Sequence, residues 1–118
     1  GLAARTAEIY DPTLKIFRET YSRPQKARKD HTATMTFDGL VLLTGGSRLE
    51  GLSIFFTATT ELYRPGDGAF LGNSPTMDLP RTRHRATRLL DGSILITGGS
   101  NLDPQQPELS SAEIYTTD

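Results

Sequence analysis

His31 and His84 have the most chemistry to offer in this chain of 118 residues, which contains no cysteine. An imidazole can ligate a metal or act as a general base near neutral pH. A metal would need further ligands, and neither ring has a second His or Cys at ligand spacing. Two double glycines, Gly45-Gly46 and Gly98-Gly99, offer the free backbone that phosphate loops use. Neither sits in a G-x-G-x-x-G or G-x-x-x-x-G-K-S/T pattern, and no helical pattern follows to aim amides at a phosphate. Arg28 and Arg81, with Glu8, Glu61 and Glu113, have the types for ion pairs or for holding an anion. Asn101, Asp103 and Glu108 share a loop, but their spacing is not that of a D-x-D/N-x-D/N-G calcium loop.

These residues recur together, which decides how they are read. Arg28–Gly46 and Arg81–Gly99 are nineteen-residue runs offset by 53 positions and identical at ten of them, where about one match is expected from average composition. Arg28/Arg81, His31/His84 and both double glycines are among the identities. The segment Thr6–Tyr10 recurs as Thr59–Tyr63 and Ser111–Tyr115, so Glu8, Glu61 and Glu113 precede Tyr10, Tyr63 and Tyr115 in three copies. A period near 50 residues marks an array of small units. The expected roles are therefore structural: a histidine opening a strand and bonding to nearby backbone, glycines freeing the backbone at a strand end, and a buried Arg–Glu pair in each unit.

The elements positioning them read as short strands. His31–Phe37 interleaves Thr32, Thr34 and Thr36 with Ala33, Met35 and Phe37, which is strand alternation in β-favouring residues. Asp38-Gly39 predicts a tight hairpin with positive φ at both residues. Leu40–Thr44 is apolar without alternation, as in a strand covered on both faces. Thr59–Tyr63 forms a third strand, Pro65–Gly68 a turn, and the residues around Phe70 a fourth strand. His84–Leu90, Asp91-Gly92 and Ser93–Thr97 repeat the first half. No helical periodicity is visible, so the fold class is all-β, with four antiparallel strands per unit.

At Arg28-x-x-His31, Asp38-Gly39, Leu42–Gly46, Glu61–Pro65 and Phe70 the chain resembles the kelch repeat. The form is similar to bacterial kelch-like propellers related to the central domain of galactose oxidase. Phe17 and Phe70 stand where kelch repeats usually carry tryptophan. The resemblance implies blades of four strands, a to d from the axis outward: a half blade c-d over 1–27, a complete blade over 28–80, and a partial blade a-b-c over 81–118. Propellers have 4–8 blades, so the resemblance also implies that further blades, or other copies of the chain, complete the ring. The b-c loops (Ser47–Ala58, Ser100–Ser110) and d-a loops (Arg18–Asp30, Leu71–Arg83) are long and share one end, where binding residues usually lie. An extracellular or periplasmic setting is implied by the resemblance alone.

Composition narrows the partners. Formal net charge is −1 and the pI is about 6.1, so no overall basic field draws nucleic acid. Apolar runs reach four or five residues, short of the roughly 20 that span a membrane as a helix, and residues 1–10 lack a secretory pattern. The reading is a non-catalytic binding or scaffold module without cofactor or metal. Its ligand, a protein or glycan, would be held by loop residues such as Arg23, Arg48, Arg83 and Asn101. The basic cluster at Arg18, Arg23, Lys26, Arg28 and Lys29, offset by Glu19 and Asp30, reads as a solvated face, with a site for an acidic peptide or anionic sugar as the alternative. Arg88, in place of Met35, would either face the central channel or lie on the surface. The competing readings are a piece of a sugar-processing or galactose-oxidase-like enzyme, and a self-assembling two-blade lectin. A radical-copper site of the oxidase type needs a cysteine joined to a tyrosine, and this chain has no cysteine.

Overall fold

The structure, a computed structural model, describes residues 5–72 and 74–117. Within them the chain is all-β, with eleven strands: β1 (Glu8–Asp11), β2 (Ile16–Glu19), β3 (Thr32–Met35), β4 (Val41–Thr44), β5 (Ser47–Glu50), β6 (Ser53–Phe56), β7 (Thr60–Arg64), β8 (Ala69–Leu71), β9 (Arg85–Arg88), β10 (Ile94–Thr97) and β11 (Ala112–Tyr115). They form a β1-β2 ribbon, a four-stranded sheet in the order β3-β4-β7-β8, a three-stranded sheet β9-β10-β11, and a separate β5-β6 hairpin. All pairings are antiparallel. The expected strands thus appear in the expected order within each sheet.

Turn chemistry explains the sharp reversals and corrects one expectation. Gly39 has φ +87°, its N–H donates to Thr36 O (3.1 Å), and the Thr36 N–H donates to Leu40 O (2.8 Å). This is a three-residue loop closed by a glycine bulge. Gly92 repeats it at φ +89° between Leu89 and Ser93. Within these two turns only Gly39 and Gly92 have positive φ, not the aspartates. Asp38 and Asp91 instead accept side-chain hydrogen bonds from Thr36 and Ser93, which fasten the loops from inside.

A second correction concerns Ser47–Ala58, expected as a long loop. Most of it is the β5-β6 hairpin, reversed at Gly51-Leu52 with Gly51 at φ +61°. Glycine at the first central position is the requirement of a type II′ turn, and Ile54-Phe55-Phe56 favour the strand that follows. The equivalent stretch 100–110 contains no strand; Ser100 merely bridges Thr82 and Glu108. Arg18 and Leu71 also belong to β2 and β8, so the connecting segments begin later than expected.

The core lies between the four- and three-stranded sheets. Leu42 faces Ile94 and Ile96, and Met77 of the connecting segment fills the space between them. Ala58, Leu62, Ala86 and Tyr115 pack around this cluster. Leu40–Thr44, expected to be covered on both faces, is not. In β4, Leu42 and Thr44 are buried while Val41 and Leu43 are half-buried; in β10 the phase is opposite, with Ile94 and Ile96 buried. Each strand buries the face turned toward the other sheet. Phe17 and Phe70 pack on Tyr10 and Tyr63 across their own hairpins, with ring centroids 5.1 Å apart in both.

Gly45 lies at the junction of the two sheets with φ +63°. A Cβ there would collide with the Arg81 carbonyl and the His84 ring. Gly98, at φ +67°, would meet only Leu109 O at 3.7 Å. Left-handed backbone costs a non-glycine residue about 1–2 kcal/mol, and forced separation of packed groups adds about 1–3 kcal/mol. Gly45→Ala is therefore expected to destabilise the fold more than Gly98→Ala, by the second amount. Urea midpoints of the two variants measure the difference; equal midpoints would contradict the junction.

Candidate functional site

The repeated arginines and glutamates form two clamps with the same pattern of contacts. Arg28 Nη2 donates to Glu61 Oε2 at 2.8 Å, and its Nη1 donates to Gly45 O (2.8 Å) and Thr59 O (3.1 Å). The same carboxylate accepts two backbone N–H groups, that of Gln25 at Oε1 (2.6 Å) and that of Lys26 at Oε2 (3.2 Å). In the next unit Arg81 Nη2 donates to Glu113 Oε2 (3.0 Å), and its Nη1 to Gly98 O (3.0 Å) and Ser111 O (3.1 Å). Glu113 accepts from the amides of Asp78 (2.7 Å) and Leu79 (3.3 Å). Each carboxylate thus ties an otherwise irregular connecting segment to the third strand of a sheet. Charge-assisted bonds of this kind are about twice as strong as neutral ones. Both arginines are buried with these partners, which leaves them no role in holding an external anion.

The histidines have different surroundings despite equivalent positions. His84 is buried, and its Nε2 lies 3.0 Å from Thr32 Oγ1 and 2.9 Å from Thr44 Oγ1, both in the preceding sheet. The two hydroxyls are 2.6 Å apart. This replaces the expected bond to nearby backbone: the ring crosses the junction and joins β3 and β4 to the start of β9. Burial, reinforced by the positive charges of Arg81 and then His31, lowers the His84 pKa to about 4. His31 stands exposed; partial desolvation and Arg28 lower its pKa as well. Gly46 N–H completes the junction by donating to Arg81 O at 2.8 Å.

Counterparts of these residues in the first and last units have other surroundings. Glu8 is exposed and makes no ion pair among the described residues, unlike Glu61 and Glu113. On the far face of the last sheet, Arg85 and Thr97 occupy the positions equivalent to Thr32 and Thr44. Ile114, on that sheet's outer strand, is 55% exposed.

The four loop residues expected to bind a ligand do not converge. Arg83 lines a cleft of about 210 Å³ with Lys29, Asp30, Thr82 and Ser100 on one side and Leu49, Ile54 and Phe56 of the hairpin on the other. Arg48 lies on the opposite hairpin face, 5.2 Å from the Phe55 ring centroid and 3.0 Å from Glu50 Oε1. Arg23 pairs with Glu19 at 3.8 Å, both side chains exposed. Asn101 closes its own loop, its side chain accepting from Leu102 N–H and its N–H donating to Pro107 O. Within the basic cluster, Arg28 is withdrawn into the clamp. Arg88 is exposed and borders a surface depression with Phe37, Leu89, Leu90 and Gly92. Sequence reasoning missed the apolar wall of the cleft, although Ile54-Phe55-Phe56 inside a supposed loop was a visible signal. Among the described residues no group of three or more His, Asp or Glu side chains is placed to hold a metal ion.

Compared with known proteins, the chain matches no protein-family model and no curated protein.

Two expectations follow from this geometry. Arg28→Ala leaves the Glu61 carboxylate buried without its counter-charge and should cost about 3–5 kcal/mol. Arg64→Ala, which removes an exposed pair with Asp67, should cost under about 1 kcal/mol; thermal melts of both variants read the contrast. For His84, a folded pKa near 4 against 6.5 in the unfolded chain means that the unfolded state binds the extra proton between those values. Its contribution is complete above pH 6.5 and is lost as pH falls toward 4, by on the order of 3 kcal/mol. Urea unfolding at pH 7 and pH 4.5 should show this loss in the native sequence and a smaller one in His84→Gln.

Proposed function

We propose that the chain is a segment of a kelch-type β-propeller serving as a non-catalytic binding or scaffold module, with a protein or glycan partner recognised at the loop end of its sheets. The observation that carries this reading is the repetition of the Arg–Glu clamp in successive units, with His84 locking one unit to the next. Such a junction makes a rigid frame out of short strands, as stacked repeats require. On this reading 28–80 is one whole blade, and the flanking strands belong to neighbouring blades. Further blades would then cover the open face bearing Ile114, and would supply Glu8 with an arginine.

A rigid frame leaves its connections free to vary, and binding residues concentrate on such connections. The two copies differ most between the second and third strands, where one has the β5-β6 hairpin and the other an irregular loop. The long connections fall at one end and the glycine-bulge turns at the other. His84 is committed to threonine hydroxyls, so the most prominent catalytic candidate is occupied in holding blades together. Fold by itself does not assign a ligand.

Screening the chain on peptide and glycan arrays, followed by hydrogen exchange with whatever binds, tests the reading. Protection is expected in 47–58, 72–83 and 100–110, with none at 37–39 or 90–92. Protection centred on those short turns would refute it, and so would oxidation of arrayed sugars by the chain after copper addition.

A further inference from the structure

The β5-β6 hairpin carries apolar surface that the core does not use. Leu52 at its tip is fully exposed, and Ile54 and Phe55 are 52% and 41% exposed. The repeat does not require this surface, since the equivalent connection 100–110 has no hairpin. Strand register puts Ser47, Leu49, Ile54 and Phe56 on one face, because Leu49 pairs with Ile54 and Ser47 with Phe56. That face forms the apolar wall of the cleft.

The opposite wall is polar, cationic and held in place. Lys29 and Ser47 exchange two backbone hydrogen bonds (2.8 and 2.9 Å), as do Thr82 and Ser100 (3.2 and 2.9 Å), and Arg83 N–H donates to Asp30 O at 2.9 Å. Asp30 and Arg83 both hold left-handed backbone, at φ +55° and +57°, which non-glycine residues keep only where their surroundings impose it. Lys29 is exposed and makes no ion pair among the described residues. Arg83 reaches Asp30 through Nε, at 3.4 Å, and its terminal N–H groups donate no hydrogen bond among the described residues. Two cations against one carboxylate leave the mouth positive, in a chain whose net charge is −1.

We propose that the cleft beneath the β5-β6 hairpin binds an extended acidic–hydrophobic peptide segment of a partner protein, seating one apolar side chain against Leu49, Ile54 and Phe56 and a neighbouring carboxylate on Lys29 and Arg83. Size favours a side chain over a whole small molecule: about 210 Å³ falls below the roughly 300–1,000 Å³ of small-molecule pockets. Charge favours a carboxylate beside it. A neutral glycan would leave Lys29 without a counter-charge and the mouth net positive. The cleft stands at the loop end described above, so this inference rests on the binding-module reading and supplies its ligand class.

The probe is a fluorescently labelled peptide of alternating leucine and glutamate, titrated into the full chain by polarisation. The comparison peptides carry glutamine for every glutamate, or alanine for every leucine. Both should bind at least about tenfold more weakly, as should the native probe with Arg83→Gln or Ile54→Asp, because each removes one charge-assisted bond or one apolar contact. Arg23→Gln, outside the cleft, should leave affinity unchanged, and raising the salt should weaken binding. Amide chemical shifts in the complex should move at 29–30, 47–56 and 82–83. Equal binding of the three peptides overturns the proposal, and so does an absence of binding to a chain with a dispersed amide spectrum. Shifts elsewhere, displacement by glucuronate alone, or self-association of the chain through the hairpin also overturn it. A ligand found on another loop would leave the module reading standing, whereas a collapsed amide spectrum would remove the fold on which both depend.

Discussion

A carboxylate shared between one buried guanidinium and two consecutive amides holds this structure in register. Glu61 and Glu113 each take an arginine that lies more than thirty residues earlier in the chain, together with the segment that leads into it. Without that anchor, residues 22–28 and 75–81 would be irregular backbone with these amides left to find other partners. With it, the segment's end point is set, and the first strand of the next sheet begins in a defined place. An ion pair of this type is better understood as specifying geometry than as adding net stability, because desolvating both partners consumes much of the attraction.

The junction between sheets shows why equivalent residues need not be equivalent physically. His84 has two threonine hydroxyls of the preceding unit around its Nε2, while His31 is exposed. Gly45 is crowded by Arg81 and His84, whereas Gly98 has only a distant carbonyl beside it. In a repeat array each unit obtains half of its environment from its neighbour. A side chain's burial, and with it the pKa of His84, is therefore a property of the pair of units. The hairpin shows a complementary freedom. Once the clamp and junction have fixed the frame, the connection between β4 and β7 can take a different shape from that between β10 and β11, with no change in the sheets.

Much of the frame was legible in the residues. Alternating Thr32–Met35, the apolar run Val41–Thr44 and the Glu-x-Tyr segments all became strands, since period and propensity are local properties. The pairing of Arg28 with Glu61 was foreshadowed by their common recurrence. The hairpin at Ser47–Phe56 was less legible because a single glycine–leucine pair makes its turn, and no second copy existed to confirm it. The scattering of Arg23, Arg48, Arg83 and Asn101 was not legible at all. Whether charged loop residues meet depends on where four separate connections run, and their own sequences do not encode that.

The sequence by itself determined an all-β chain, the places where it must turn, and a set of polar residues repeating every 52 or 53 positions. These follow from interactions within a few residues: side-chain alternation, the left-handed backbone that Gly39 and Gly92 allow, and β-favouring side chains. Only the tertiary structure decided which histidine is buried, which arginines are withdrawn from solvent and which cation lines a cleft. The physical reason is that desolvation and charge pairing depend on neighbours 17 to 53 residues away. Those neighbours are brought together by the clamp and by the face-to-face packing of two sheets.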